Sequence, residues 1–98
     1  MSKTDLQKEL ERQLDDIEKL LKTDLDSVLD NVIDIEAFMN YQNKELVGFE
    51  ICITTGSPNV YLYYDRGICK LLGYWGFSEA ERNIDTEICE TVLEYLSE

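Results

Sequence analysis

The strongest constraint on the fold is a change in hydrophobic period at Leu46. Over residues 46–54 the apolar side chains fall at every second position, which is typical of a strand with one buried face. The sequence Gly-Ser-Pro-Asn at residues 56–59 combines the backbone freedom of glycine with the fixed φ of proline, and this favours a turn. A second alternating run covers residues 60–65. We therefore predict an antiparallel hairpin.

A third strand is predicted over residues 68–75, after a turn whose Gly67 favours the left-handed conformation. Gly73 and Gly76 indicate a bulge or bend near the end of this strand. Residues 77–84 fit either a short fourth strand or a loop. Asp85 is predicted to cap a final helix, whose apolar stripe comprises Ile88, Val92, Leu93 and Leu96.

The part of the chain before Leu46 has the period of a helix. Residues 4–22 are predicted to form an amphipathic helix that starts with a capping box of Thr4 and Gln7. The stripe continues without a phase break, so either two helices over 4–22 and 24–40 or one long helix would fit. We favour two helices, because an unbroken helix of that length is unusual in a small domain. The stripe comprises Leu6, Leu10, Leu14, Ile17, Leu21, Leu25, Val28, Val32 and Ile35.

These elements predict one α+β domain over residues 1–98, with the order ααβββ(β)α and the helices on one face of an antiparallel sheet. The N-terminal helix pair (or one long helix) forms an acidic part at residues 1–43. The three- to four-stranded sheet and the C-terminal helix occupy residues 44–98. No signal peptide or membrane span is recognisable, and three widely spaced cysteines are typical of reduced thiols. We therefore expect a cytoplasmic protein.

The net charge of −12 is unevenly distributed. Residues 44–78 are neutral, residues 23–43 carry five carboxylates and no basic side chain, and residues 79–98 carry seven carboxylates and one arginine. Direct binding to nucleic acid or to an anionic membrane is disfavoured, because both carry the same sign of charge. The charge favours a basic protein partner.

Two acidic rows are the first candidate binding site. On a helix, Asp26, Asp30 and Asp34 would lie about 6 Å apart along one face, close to the spacing of phosphates on a nucleic-acid strand. Glu87, Glu90, Glu94 and Glu98 would form a second such row. Such a row could occupy the phosphate-binding groove of a nucleic-acid-binding enzyme, and the alternative is an ordinary solvated helix face. The candidate residues are Asp24, Asp26, Asp30, Asp34, Glu36, Glu87, Glu90 and Glu94.

An aromatic cluster is the rival site. Tyr61, Tyr63 and Trp75 would form an amphipathic patch suited to a protein interface if the sheet face opposite the helices is open. The alternative is that the rings pack on each other across strands or under the N-terminal helices.

No catalytic pattern is present. The chain has no histidine, no nucleophile motif and no phosphate-binding glycine loop. Asp24 and Asp26 lack the glycine and the final glutamate of a calcium loop. We therefore predict no enzyme activity, no catalytic residue, no metal site and no cofactor.

The part of the chain from Leu46 onward combines a strand, the Thr-Gly-x-Pro turn at residues 55–58, a second short turn and a strand that ends in Trp75-Gly76. In these shared features it resembles small proteins of phages and mobile elements in Firmicute-type bacteria. Their pattern has a second glycine where this chain has Ser57. The resemblance covers roughly residues 46–97, and it implies no specific activity. It does imply a class, because such elements encode many inhibitors directed at their host or its defences.

The sequence therefore predicts a small acidic inhibitor that binds a basic, nucleic-acid-handling protein, in the manner of an anti-CRISPR protein. The alternative is a structural or assembly protein that forms a homodimer through the Leu6–Ile35 stripe.

Overall fold

The structure is a computed structural model, and it describes residues 3–56 and 58–97. Five strands form one antiparallel sheet in the order β1-β2-β3-β4-β5, so each strand pairs with its neighbours in the chain. This confirms the α+β class, with five strands rather than three or four. The elements are α1 (Lys3–Thr23), α2 (Leu25–Asp30), β1 (Asp34–Met39), β2 (Leu46–Thr54), β3 (Asn59–Asp65), β4 (Ile68–Trp75), β5 (Ser78–Asn83) and α3 (Thr86–Ser97).

The two faces of the sheet have different roles. On one face, Phe49, Ile51, Leu62 and Leu71 are almost completely buried, and the register pairs Ile51 with Leu62 and Leu62 with Leu71. Both long helices pack on this face, which we call the helix-covered face. The alternate positions of the same strands form the other face, which we call the open face.

Helix α1 packs through its predicted apolar stripe. Leu10, Leu14 and Leu21 are at most 2% exposed. A Cβ atom at Gly73 of β4 would lie only 3.0 Å from side-chain atoms of Leu10 and Leu14, so this glycine lets the helix approach the sheet closely. Of the predicted bulge or bend, no bulge forms at Gly73, because the β4–β5 register passes through it without a shift. Gly76, with a φ of 62°, lies in the turn between β4 and β5.

The sequence predicted where α1 ends and how its first turn is capped. The helix ends at Thr23, at the predicted elbow, and one long N-terminal helix is therefore excluded. At the other end, the side chain of Thr4 lies outside the described residues. Gln7, its partner in the predicted capping box, donates a hydrogen bond from Nε2 to the Glu79 carbonyl oxygen of β5 at 3.0 Å. This bond ties α1 to the last strand.

The prediction of a second helix over residues 24–40 is wrong after Asp30. Asn31 ends α2, and its Nδ2 donates to the Ser27 carbonyl oxygen at 2.7 Å. The chain then forms β1, which pairs with β2. The spacing of Val28, Val32 and Ile35 fits a helix, but residues 33–38 also alternate as a strand does. Hydrogen bonding to β2 resolves this ambiguity in favour of the strand.

The C-terminal helix begins as predicted. Asp85 accepts a hydrogen bond at Oδ1 from the Glu87 amide at 3.0 Å, and its carbonyl oxygen accepts one from the Ile88 amide at 3.0 Å. Residues 77–84 were predicted to be either a short strand or a loop, and the structure has a strand there, β5. Within the described ranges, no helix combines the length and the apolar character needed to cross a bilayer.

The prediction of three reduced thiols is wrong for two cysteines. Cys69 of β4 and Cys89 of α3 form a disulfide, with their Cα atoms 6.3 Å apart. They are 20 positions apart in the sequence, and only the packing of α3 on the sheet brings them together. Cys52 is free. The predicted cytoplasmic location loses its cysteine argument and stays a prediction.

Candidate protein-binding face

Aromatic side chains form the centre of the open face. The rings of Tyr61 and Tyr74 contact edge to face, with centroids 6.1 Å apart, and the rings of Phe38 and Tyr63 lie 6.0 Å apart. Leu72 lies beside Tyr61 in the register and completes the apolar surface. Tyr74 is 39% exposed, and the other four side chains are half-buried. None of the described helices covers this face, so the rings are available to a partner.

Carboxylates border the aromatic centre on both sides. The register places Asp34, Glu36 and Glu50 at the β1–β2 border, and Glu79 and Glu81 at the β5 border. A shallow groove of about 250 Å³ lies at the first border, and one of about 310 Å³ lies at the second. The open face therefore has the composition of a protein interface, with an aromatic centre and a charged rim.

Basic side chains are almost absent from the open face. Of the two basic residues in the five strands, only Lys70 lies on it, with its Nζ 3.4 Å from Oε1 of Glu81. The other, Arg82, lies on the helix-covered face. There it forms an ion pair with Asp15, and its Nη2 donates to the Glu11 carbonyl oxygen at 3.2 Å. The face therefore carries a negative charge that its own strands leave mostly unneutralised.

Cys52 lies on the open face beside Asp34, its register partner. Burial, and then the charges of Asp34 and Glu50, raise the pKa of this thiol. A raised pKa reduces the thiolate fraction, which is the opposite of what activates a cysteine nucleophile. No group of three or more metal-ligating side chains occurs within residues 3–56 and 58–97.

The fold divides the predicted acidic rows. Asp26 and Asp30 are exposed on α2, and Asp24 precedes that helix without a side-chain capping bond. Asp34 and Glu36 belong to β1 on the open face, so the helical row from Asp26 to Asp34 does not exist. The second row keeps its helical spacing on exposed positions of α3, on the other side of the sheet. Its described members are Glu87, Glu90 and Glu94.

The fold also divides the predicted aromatic patch. Tyr61 and Tyr63 share the open face, whereas Trp75 lies on the helix-covered face, where the register pairs it with Ser78. Tyr74 takes the place that the sequence analysis gave to Trp75. Strand alternation alone distinguishes these two neighbours, so the signal for Tyr74 was present in the sequence.

The remaining members of the site could be assigned to the open face only from the fold. Phe38 belongs to a strand that was predicted as a helix. Glu36 was predicted as a partner-binding residue, but on that helix and not on the open face of the sheet. Glu79 and Glu81 belong to β5, which the sequence left open. Glu50 lies within a correctly predicted strand, but its role depends on its neighbour in β1.

A comparison of the chain with protein-family models, with curated proteins and with solved structures finds no match in any of the three. The resemblance to phage and mobile-element proteins therefore stays a prediction.

Proposed function

We propose that this chain is a small acidic protein that binds and inhibits a basic, nucleic-acid-handling protein, and that the open face is its binding surface. The observation that carries the proposal is the pairing of Glu36 with Glu50 directly across β1 and β2. Like charges in this position destabilise a sheet, and local conflicts of this kind are expected at functional sites. A basic side chain from a partner would relieve the repulsion.

The aromatic centre and the acidic rim have complementary tasks in this proposal. The rings of Tyr61, Tyr63 and Tyr74 supply contact area with little loss of side-chain freedom on binding. The carboxylates select lysine and arginine and accelerate the encounter with a positively charged surface. Both features therefore favour the same class of partner.

The nucleic-acid-handling character of the partner follows from the chemistry of phosphate binding. Proteins that hold a phosphate backbone present clustered lysine and arginine. A chain with a net charge of −12 would compete with nucleic acid for such a surface. The mobile-element resemblance supports a defence enzyme as the target, as for an anti-CRISPR protein. The imitation on the open face would be one of charge, since the helical row from Asp26 to Asp34 does not form. The row of Glu87, Glu90 and Glu94 lies on α3, on the other side of the sheet.

Self-association through the Leu6–Ile35 stripe has less support. The stripe residues Leu10, Leu14 and Leu21 are buried against the chain's own sheet. Their packing leaves the α1 part of the stripe without a free apolar surface for a second copy.

The test is affinity capture from a bacterial lysate with two matched charge reversals. The first variant, Glu36→Lys with Glu50→Lys, keeps like charges opposed and should change the fold little. The second, Glu87→Lys with Glu90→Lys, makes the same change in net charge on α3. We expect the wild type and the α3 variant to retain a basic protein that high salt releases, and the open-face variant to lose it. The retained protein should lose its nucleic-acid binding when the chain is added.

Two results would overturn the proposal. If the α3 variant loses the protein and the open-face variant keeps it, the binding surface lies on the other side of the sheet. If neither the wild type nor the α3 variant retains a basic protein, the partner class is wrong. Circular dichroism of both variants provides the control for folding.

A further inference from the structure

The two edges of the sheet differ in their protection. At the β5 edge, α1 lies against the strand through the hydrogen bond from Gln7 to Glu79 and the ion pair between Arg82 and Asp15. At the β1 edge, β2 is the strand's one hydrogen-bonded neighbour in the described sheet, and every residue of β1 except Phe38 is exposed. An edge strand presents outward N–H and C=O groups that can pair with another strand. The outer edge of β1 can therefore accept an added strand.

The two sides of β1 have opposite chemistry. Asp34 and Glu36 lie on the open face next to Glu50. Ile35 and Ala37 lie on the helix-covered side, beside Ile51 and Phe49 in the register, and Ile35 is 38% exposed. The side chains of an added strand would alternate between these two environments. One set would meet carboxylates, and the other set would meet apolar side chains.

We propose that the partner contributes an extended segment in which basic and apolar residues alternate, and that this segment pairs with β1 as a sixth strand. Lysine or arginine would lie beside Asp34 and Glu36, and the apolar residues would cover Ile35 and Ala37. The basic character of the segment rests on the proposed function. The pairing of backbones at the β1 edge is the new element.

Charge favours a basic segment of a partner over a second copy of the chain as the strand that pairs with β1. In a two-fold antiparallel pairing of β1 with itself, each residue stays on its own face of the extended sheet. Asp34, Glu36 and Glu50 of both copies would then share one face, and two chains of net charge −12 would be joined. Like charges on adjacent strands oppose such a pairing. A basic segment turns the same carboxylates into attractive contacts.

The test uses two octapeptides of identical composition, with blocked ends. In one, lysine and valine alternate; in the other, four lysines precede four valines. Both are used at concentrations at which the peptide alone sediments as a monomer. We expect the alternating peptide to bind the full chain about tenfold more tightly. It should also slow hydrogen exchange at the outward amides of β1 by about tenfold or more, since strand pairing protects amides.

Matched variants locate the site. Ile35→Lys should abolish the preference for the alternating peptide, because it places a charge beside the apolar residues of the added strand. Leu20→Lys makes the same change at a similarly exposed position of α1 and should leave the preference intact. The exchange measurement on the wild type stands independently of how either variant folds.

Three outcomes would overturn the inference. If the two peptides bind with equal affinity and the β1 amides are not protected from hydrogen exchange, the peptides are held by charge alone. That result rejects strand pairing but is compatible with the proposed function. An absence of binding by either peptide rejects the basic segment. Protection of β1 without peptide, together with a doubled mass at high protein concentration, identifies the occupant as a second copy.

Discussion

Glu36 and Glu50 oppose each other across β1 and β2 at a cost in stability. They are direct partners across two strands, and neither has an ion-pair partner among the described residues. A sheet optimised for stability alone would place opposite charges here. The unrelieved pair therefore supports a role outside the fold.

We expect Glu50→Gln to raise the free energy of unfolding by about 0.5 kcal/mol at low salt, because it removes the repulsion from Glu36. The same variant should bind the partner less tightly. Urea denaturation measures the first effect. Glu79→Gln is the control, since its register partner is Tyr74 and no like charge opposes it. A lower stability of Glu50→Gln would contradict the assigned pairing.

The free thiol of Cys52 reports where Asp34 lies. Burial and the charges of Asp34 and Glu50 raise its pKa, so alkylation by iodoacetamide near pH 8 should be slow. We expect Asp34→Asn to lower the pKa of Cys52 and speed the reaction, because the thiolate loses a repelling neighbour. Asp30→Asn, on α2, should leave the rate unchanged. Equal effects of the two substitutions would argue against the β1–β2 register.

At the scale of single elements, α1 uses the sheet as the partner for its apolar stripe. We expect Leu14→Ala to lower the free energy of unfolding by roughly 3 kcal/mol, because it empties a fully buried position. Leu20→Ala, at a side chain that is 49% exposed, should have little effect. Chemical denaturation measures both effects. Repeating it at two protein concentrations tests whether the stripe packs on the chain's own sheet or joins two copies, because a midpoint that rises with concentration would show that self-association contributes to stability.

Most elements could be predicted from local patterns. α1 and the β2–β4 strands each have one dominant period, and α3 has a recognisable cap in Asp85. β1 could not be predicted in this way, because Val28, Val32 and Ile35 continue the helical stripe while residues 33–38 also alternate as a strand does. The hydrogen bonds that decide between the two come from β2. The candidate site depended on this strand. Tyr61 and Tyr63 were identified early, whereas the carboxylates that adjoin them could be placed only after β1 and β5 were known.

At the scale of the whole molecule, a disulfide links the last helix to β4 of the sheet. Cys69 and Cys89 enclose a segment of about 20 residues, and closing such a loop reduces the freedom of the unfolded chain. We expect reduction to lower the free energy of unfolding by about 3 kcal/mol. Urea denaturation with and without a phosphine reductant measures this, and Cys52→Ser should show the same dependence. A stability that is unaffected by the reductant would rule out the cross-link in solution.

The position of α1 over β4 and β5 has a consequence for synthesis on the ribosome. The helix is made first, but the Arg82 side chain that bonds to the Glu11 carbonyl oxygen lies 71 positions later in the chain. At a typical elongation rate of about 10 residues per second, several seconds pass between the synthesis of the α1 leucines and that of the strands β4 and β5 on which they pack. The strands, in contrast, can pair in the order in which they emerge. During this interval the nascent chain carries an amphipathic helix with an unoccupied apolar side, which is the kind of segment that chaperones bind.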